Sequence, residues 1–165
     1  MAITDERLFY RISSPCANKF VSRGQITKEQ ANEIIFSLRD GRELPSYLDT
    51  MFLYAKESLR RHALTMGKRN IGRDVMLDYF TSGDHRKSID AIYKIYPDFS
   101  KEECMARVGK IGGIVRDNVV AAASEPHVYK NTFLLDLKLD DYVLVHAGSV
   151  VEKLTEKEAR KYLRS

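Results

Sequence analysis

Two cysteines and four histidines are the side chains in this sequence that are best suited to metal binding or to nucleophilic chemistry. They are Cys16, Cys104, His62, His85, His127 and His146. The two cysteines are far apart, and they form neither a CxxC metal motif nor the regular spacing of a disulfide framework. The histidines other than His146 have no ligand spacing with either cysteine, which disfavours a zinc site.

Cys104 and His146 each leave two interpretations open. A single internal cysteine usually behaves as a small buried hydrophobic residue, although its thiolate is a strong ligand for soft metals. His146 lies between Val145 and Ala147 in a segment with apolar residues on both sides. It is therefore either a buried histidine with satisfied hydrogen bonds or a ligand. Cys16 follows a Ser-Pro pair, and we predict a structural role for it.

A group of basic residues lies near the end of a predicted helix and in the loop after it. This basic cluster consists of Arg60, Arg61, Lys68, Arg69 and Arg73. The interpretation we favour is a solvated set of cations close to a helix C-terminus, where they interact favourably with the helix dipole. The alternative is a contact surface for phosphate or for an acidic partner. A formal net charge of +4 permits that contact without requiring nucleic acid.

The first hundred residues show helical periodicity and predict a bundle of about four or five helices. The predicted helices with the clearest limits cover residues 5–12, 74–80 and 84–95. Thr27 and Gln30 form a capping box at the start of another helix. The longest helix is predicted to have Pro45 in its first turn and to end at Gly67. We therefore predict a helical domain over residues 1–100.

After this part the pattern changes to short apolar stretches separated by turn residues. This spacing predicts a small OB-like antiparallel β-barrel within a second domain, residues 101–165. The apolar residues at 133–137 are included among the predicted strands. A strand buried on both faces is predicted at 142–147, ended by Gly148 and followed by a further extended segment.

Two more capping boxes lie in the second domain. Thr155 and Glu158 predict the start of a C-terminal helix. Ser100 and Glu103 form a similar pair, which leaves open whether Cys104 lies in a helical turn or in a strand. The predicted fold class is α+β, with an N-terminal helical bundle followed by the barrel and its C-terminal helix.

Two segments of the second domain resemble a known family. Residues 104–111, CMARVGKI, look like the opening MCLAIPGKV of the HypC/HupF hydrogenase-assembly chaperones. Residues 141–148, DYVLVHAG, are similar to the same eight residues in that family, and the acidic final helix is also similar. The resemblance covers about residues 103–165 and does not include the helical part. In the family the cysteine follows the initiator methionine, whereas here Glu103 and a whole domain precede it.

The resemblance implies a fold, a cargo and a set of partners. It implies an OB-like barrel whose cysteine and histidine correspond to Cys104 and His146, and which holds iron with its cyanide and carbonyl ligands. Thiolate is a soft ligand and imidazole a borderline one, and two protein ligands leave positions open for the small ligands or for a partner's cysteine. The implied partners are a HypD-like scaffold protein and the precursor of the large subunit of [NiFe] hydrogenase.

Several function classes are disfavoured by the sequence. It contains no Walker loop, nucleophile elbow, catalytic carboxylate pair or dinucleotide-binding fingerprint, so we expect no enzymatic activity. No apolar run is long enough to span a membrane, and we expect a cytoplasmic protein. The leading hypothesis is a HypC-like assembly factor for hydrogenase maturation, with iron as the possible metal. The alternative is an OB-like module that binds nucleic acid or acts as a protein adaptor and has lost the iron role.

Overall fold

The computed structural model describes residues 1–97, 100–122 and 125–163, which form helices followed by a β-barrel. The helices in chain order are α1 (Glu6–Ser13), α2 (Ala17–Ser22), α3 (Lys28–Arg39), α4 (Leu48–Met51), α5 (Leu53–Thr65), α6 (Arg73–Thr81), α7 (Gly83–Ile95) and α8 (Glu156–Tyr162). The strands are β1 (Arg107–Val115), β2 (Asn118–Ala122), β3 (Pro126–Lys130), β4 (Tyr142–His146) and β5 (Ser149–Leu154). The predicted α+β fold class is confirmed.

Local signals set several helix ends, and the predicted start and continuity of the longest helix were wrong. The capping box of Thr27 and Gln30 is present at the start of α3, and Gly67 ends the turn after α5 with a φ of 67°. The first helix ends at Ser13, as predicted, and the chain continues through a 3-10 turn into α2, because proline is tolerated in a first helical turn. Pro45 precedes α4 rather than starting it, and Phe52 divides the predicted long helix into α4 and α5.

The five strands close into a barrel with the neighbour order β1-β2-β3-β5-β4. All pairs are antiparallel except β3 with β5, which are parallel at Lys130 and Ser149. Gly109 allows the close approach of β1 to β2, since a Cβ there would lie 3.3 Å from the Cβ of Ala121. Ala147 and Gly148 form the tight β4–β5 turn, both with positive φ.

The segment between β3 and β4 is a loop, so the strand predicted over 133–137 was wrong. Asn131 holds this loop, because its side chain accepts a hydrogen bond from the Leu135 amide and donates one to the Leu135 carbonyl. Phe133 is buried and satisfies the apolar pattern without forming a strand. Burial alone produced the strand-like signal here.

The barrel has two apolar faces, and one of them packs on the helices. Its interior is filled by Ile111, Val119, Ala121, Val143, Val145 and Val150. Leu144 and Val151 point the other way and belong to the same buried cluster as Leu8 and Phe9 of α1. The prediction that the β4 segment is buried on both faces is thereby explained, since its residues face the barrel interior and the helices alternately.

Charged groups also join the helices to the barrel. Glu152 of β5 is buried and accepts hydrogen bonds from Arg11 of α1 and from Arg73 of α6, the latter at 2.9 Å. Arg73 also donates to Glu158 of α8 at 2.7 Å, and this bond lowers the pKa of that carboxyl below its usual value. Paired charges in a half-buried layer are much more costly to separate than exposed pairs.

We expect Glu152→Ala to lower the free energy of unfolding by about 2–3 kcal/mol, because two arginines then lose their carboxylate in a partly buried layer. The magnitude is reduced from that of a fully buried pair because both arginines are partly exposed. Urea unfolding followed by circular dichroism measures it. Glu156→Ala, at an exposed pair with Arg160, is the control and should change the value by less than about 0.5 kcal/mol. If Glu152→Ala left the free energy of unfolding unchanged, these ion pairs would not stabilise the contact between the helices and the barrel.

Candidate cysteine–histidine site

Cys104 lies in the turn that leads into β1. The amides of Cys104 and Met105 donate to the carbonyls of Lys101 and Glu102, at 3.1 and 3.3 Å. The local capping signal therefore indicated the correct structure, a turn rather than a strand. The Cys104 side chain is almost fully buried, with 2% of the residue exposed.

Cys16 lies beside Cys104, although the two are 88 positions apart in the sequence. The two Sγ atoms are 3.8 Å apart, and the Sγ of Cys16 is 3.7 Å from Nε2 of His146. Cys16 ends the 3-10 turn after α1 and is partly exposed. An ion pair between Lys19 of α2 and Glu103, at 3.0 Å, joins the same two segments. The fold thus assembles a dithiol that the sequence spacing gave no reason to expect.

The environment of Cys104 keeps its thiol protonated. The hydrogen bond with Cys16 and the burial of the side chain raise the pKa of Cys104 above its ordinary value, while nearby His146 and Lys19 act weakly in the opposite direction. Thiolate is the form that binds metals and attacks disulfides. Any such chemistry at Cys104 therefore needs a change in its surroundings.

The imidazole of His146 contacts backbone carbonyls from both parts of the chain. Nδ1 lies 2.7 Å from the carbonyl oxygen of Ile12, and Nε2 lies 3.0 Å from that of Cys104. A neutral imidazole has one N–H and donates only one of these bonds, whereas the imidazolium donates both. Donation from Nδ1 to a carbonyl is the arrangement that leaves Nε2 available as a metal ligand.

His85 of α7 packs against His146 and was not predicted as part of the site. The ring centroids are 5.4 Å apart, and the His85 ring also lies edge-on to Phe80. Burial, together with repulsion from His146, lowers the pKa of His85 to about 3, although a hydrogen bond to the Phe80 carbonyl opposes the shift. His85 is thus an uncharged neighbour of the site at neutral pH.

A mostly apolar cavity of about 130 Å³ adjoins these residues. Cys16, Cys104, His85 and His146 contribute to its lining, as does Ser13. The Ser13 hydroxyl is buried and has no hydrogen-bond partner among the described residues. A buried polar group without a partner is rare in a folded protein and is consistent with a small ligand or water at this position.

The basic cluster is placed apart from this site. Arg60 pairs with Glu57, and Arg61 donates to Ser58. Arg61, Lys68 and Arg69 are exposed.

Two members of the cluster have acidic partners elsewhere in the fold. Lys68 forms an ion pair with Asp74 at 2.8 Å. Arg73 is directed to the barrel, where it contacts Glu152 and Glu158. A contact between phosphate and this cluster stays a prediction, with Arg73 engaged in the interface between helices and barrel.

The donor set suits a soft metal only as a partial site. Within residues 1–97, 100–122 and 125–163 no group of three or more His, Cys, Asp and Glu side chains could hold a metal ion. Cys104 and His146 provide at most two ligands of the types that iron accepts. A cargo that brings its own ligands, or a partner that adds one, would be needed to complete the coordination.

Comparison with known proteins agrees with the resemblance seen in the sequence. The family model of the HupF/HypC family matches residues 104–165, which include Cys104, the barrel and α8. The predicted resemblance of the C-terminal part is thereby confirmed, and the helical part lies outside the match. Searches of curated proteins and of solved structures gave no match.

None of the helices in the described part of the chain is long and apolar enough to cross a membrane.

Sequence analysis named Cys104 and His146 as candidates, but it did not predict that Cys16, His85 and Ser13 line the same cavity. All three come from the helical part, and their distance along the chain from the barrel gives no signal of contact. The presence of just two cysteines in the sequence was the single hint.

We expect His85 to make stability fall as the pH is lowered. The unfolded chain takes up a proton at this histidine near pH 6.5, whereas the folded chain does so near pH 3. Between these values the unfolded state binds more protons, so the free energy of unfolding decreases by up to about 1.4 kcal/mol per pH unit. Urea unfolding at several pH values from about 7 to 5 measures this slope.

His85→Asn keeps a donor near the Phe80 carbonyl but does not titrate, so its slope should be smaller by this amount. His127→Asn, at an exposed position on β3, is the matched control and should keep the wild-type slope. An unchanged slope in His85→Asn would contradict the assignment.

Proposed function

We propose that this protein is an accessory factor in the maturation of [NiFe] hydrogenase, and that it holds iron with Cys104 and His146. The single observation that supports this most strongly is the arrangement of the two residues within the matched region. Nε2 of His146 is 3.0 Å from the backbone of Cys104, in the part of the chain that matches the HupF/HypC family. Members of that family are assembly chaperones, which favours a non-catalytic role.

The surroundings of the pair suit an iron group that brings small ligands. The cavity of about 130 Å³ lies directly beside both residues and exceeds the volume that one water molecule needs. Its lining is mostly apolar, which suits carbon monoxide, and the free hydroxyl of Ser13 would donate a hydrogen bond to the nitrogen of a cyanide ligand. The iron here is the cargo, which the protein receives and passes on.

Iron binding in this proposal requires that Cys104 become accessible and lose its proton. Metal binding releases protons from ligating thiols, so a raised thiol pKa weakens binding until the surroundings change. Cys104 lies in a turn outside the barrel strands, and a shift of this turn would expose the thiol without opening the barrel ladder. Excess ferrous iron would favour this shift in the isolated protein, because metal binding displaces the thiol proton. A scaffold or client protein bound at the turn would favour it further.

The proposed partners are a HypD-like scaffold protein and the large-subunit precursor of a hydrogenase, and the proposed location is the cytoplasm. A partner's cysteine would complete the coordination that two ligands leave open. A groove of about 270 Å³ on the barrel includes His146, Met105, Val128 and Tyr129. This groove and the cavity meet at His146, so a partner bound on the barrel would lie next to the iron.

The test is anaerobic reconstitution of the reduced protein with ferrous iron, followed by desalting and iron analysis. We expect about one iron per chain, and at least about tenfold weaker binding in Cys104→Ala, because even loss of a residue that only hydrogen-bonds a metal ligand costs about 10–100-fold. His146→Asn keeps a donor for the Ile12 carbonyl and removes Nε2, so it should lose iron while staying folded. His127→Asn is the matched control and should bind as wild type does.

Two results would contradict the proposal that the protein binds iron. One is native protein that binds no iron and whose Cys104 resists thiol reagents until it is unfolded. The other is binding that survives in both Cys104→Ala and His146→Asn. In either case Cys104 would not be an iron ligand, and the match would reflect a shared fold alone.

A second proposal is that the barrel is an OB-like module that binds single-stranded nucleic acid or acts as a protein adaptor. The observation in its favour is the exposure of Arg61, Lys68 and Arg69. Against it, single-strand binders usually stack bases on several aromatic side chains. In the described part of the barrel strands these are limited to Tyr129 and Tyr142, which are both half-buried.

We expect no tight binding to a single-stranded oligonucleotide at about 150 mM salt, measured by fluorescence anisotropy. If the basic cluster did bind phosphates, affinity would fall steeply with salt because counterions are released. The triple variant Arg61→Glu, Lys68→Glu, Arg69→Glu would then lose binding, while Lys157→Glu on α8 would not. Tight, salt-sensitive binding with this mutational pattern would favour the nucleic-acid proposal over the iron proposal.

A further inference from the structure

The contact between Cys16 and Cys104 is a feature that neither the family match nor the proposed function includes. The match begins at Cys104, so Cys16 lies outside it. The chain has no other cysteine, and the fold brings the two Sγ atoms to 3.8 Å. A disulfide needs an S–S distance of about 2.05 Å. The two sulfurs must therefore move closer together by about 1.8 Å.

The backbone around both cysteines permits this approach. Cys104 is in the turn before β1, and Cys16 is in a 3-10 turn between two helices. Neither belongs to a strand of the barrel ladder, so a small rotation of each side chain does not break strand pairing. The ion pair of Lys19 with Glu103 keeps the two segments adjacent.

The two thiols differ in solvent accessibility, so they would react with a disulfide reagent in a fixed order. Cys16 is partly exposed and lies at the cavity, whereas Cys104 is buried behind it. A reagent from solvent therefore meets Cys16 first. Cys104 is in position to attack a sulfur bound to Cys16, since the two are already in contact.

We infer that Cys16 and Cys104 are a redox-active pair that a low-molecular-weight disulfide oxidises to an intramolecular disulfide. The Cys16 thiolate, after loss of its proton to solvent, attacks the disulfide RSSR, forms a mixed disulfide and releases RS⁻. Cys104, no longer hydrogen-bonded to a Cys16 thiol, passes its proton to the released RS⁻ and attacks the Cys16 sulfur. The second RS⁻ leaves and takes up a proton from solvent. The protein loses two electrons and two protons, and RSSR gains them to become two RSH.

The disulfide would regulate the candidate site, and this consequence rests on the proposed function. With both sulfurs bonded to each other, Cys104 has no thiolate to offer to iron. The reduced protein is then the form that accepts cargo, and the oxidised protein is closed to it. Formation of the disulfide itself does not depend on iron.

The experiment uses the full, reduced, folded chain with excess 2-hydroxyethyl disulfide, a small neutral reagent. The reaction is quenched with acid, the protein is unfolded and treated with N-ethylmaleimide, and its intact mass is measured. We expect a monomer that has lost the mass of two hydrogen atoms and takes up no maleimide. Dithiothreitol should restore both thiols.

Two variants separate the steps. In Cys104→Ser the mixed disulfide at Cys16 should persist, because no thiol resolves it. In Cys16→Ser the buried Cys104 should stay reduced under native conditions and react only after unfolding. Wild-type protein that retains the mixed disulfide, keeps both thiols free, or forms disulfide-linked dimers would overturn the inference.

Iron reconstitution of the reduced and oxidised proteins distinguishes the two proposals. If the disulfide forms but neither state binds iron, the proposed function fails and the redox pair stands. If the reduced protein binds iron but the disulfide does not form, the redox pair fails and the proposed function stands. Iron binding confined to the reduced state supports both.

Discussion

The buried imidazole of His146 is the contact on which the arrangement of this molecule depends. It lies between the carbonyl of Ile12, at the end of α1, and the carbonyl of Cys104, in the turn before β1. A buried polar ring is costly unless it is hydrogen-bonded, so the helix end, the turn and β4 must remain together. The position of both cysteines follows, since Cys16 comes directly after that helix and Cys104 belongs to that turn.

The helical part is therefore an integral component of the candidate site. The family match covers residues 104–165 and does not include the helices before the barrel. Nevertheless, Ser13, Cys16 and His85 contribute to the cavity beside Cys104. The Glu152 layer, with Arg11 on one side and Arg73 on the other, holds the barrel against the helices. Access to the thiol and its protonation are thus controlled by residues that a barrel alone would lack.

Burial and reactivity oppose each other at Cys104. A buried, hydrogen-bonded thiol with a raised pKa is a stable packing residue and a poor ligand or nucleophile. The same position lies next to a cavity, a histidine and a second thiol. A site of this kind is inactive at rest and becomes reactive when its surroundings change, which agrees with the proposed function.

The sequence by itself determined much of the local structure and the resemblance of the barrel part to the HupF/HypC family. The capping boxes at Thr27 and Thr155 and the glycine turn at Gly148 depend on neighbouring residues, and they are present as predicted. The two-sided burial of β4 was also readable, because a strand packed on both faces shows no polar alternation. The loop over 133–137 misled the prediction, since a buried Phe133 gives the same apolar signal in a loop as in a strand.

Only the tertiary structure decided what surrounds Cys104. The cysteines are 88 positions apart, the segment between them includes most of the helices, and no local rule relates the two side chains. Their contact arises because α1 packs its apolar face on the outer face of the barrel, through Leu8 and Val151 among others, and this docking brings Cys16 to the turn. Burial of apolar surface between α1 and the barrel brought the two thiols together. Sequence periodicity predicts local structure and does not predict contacts between residues far apart in the chain.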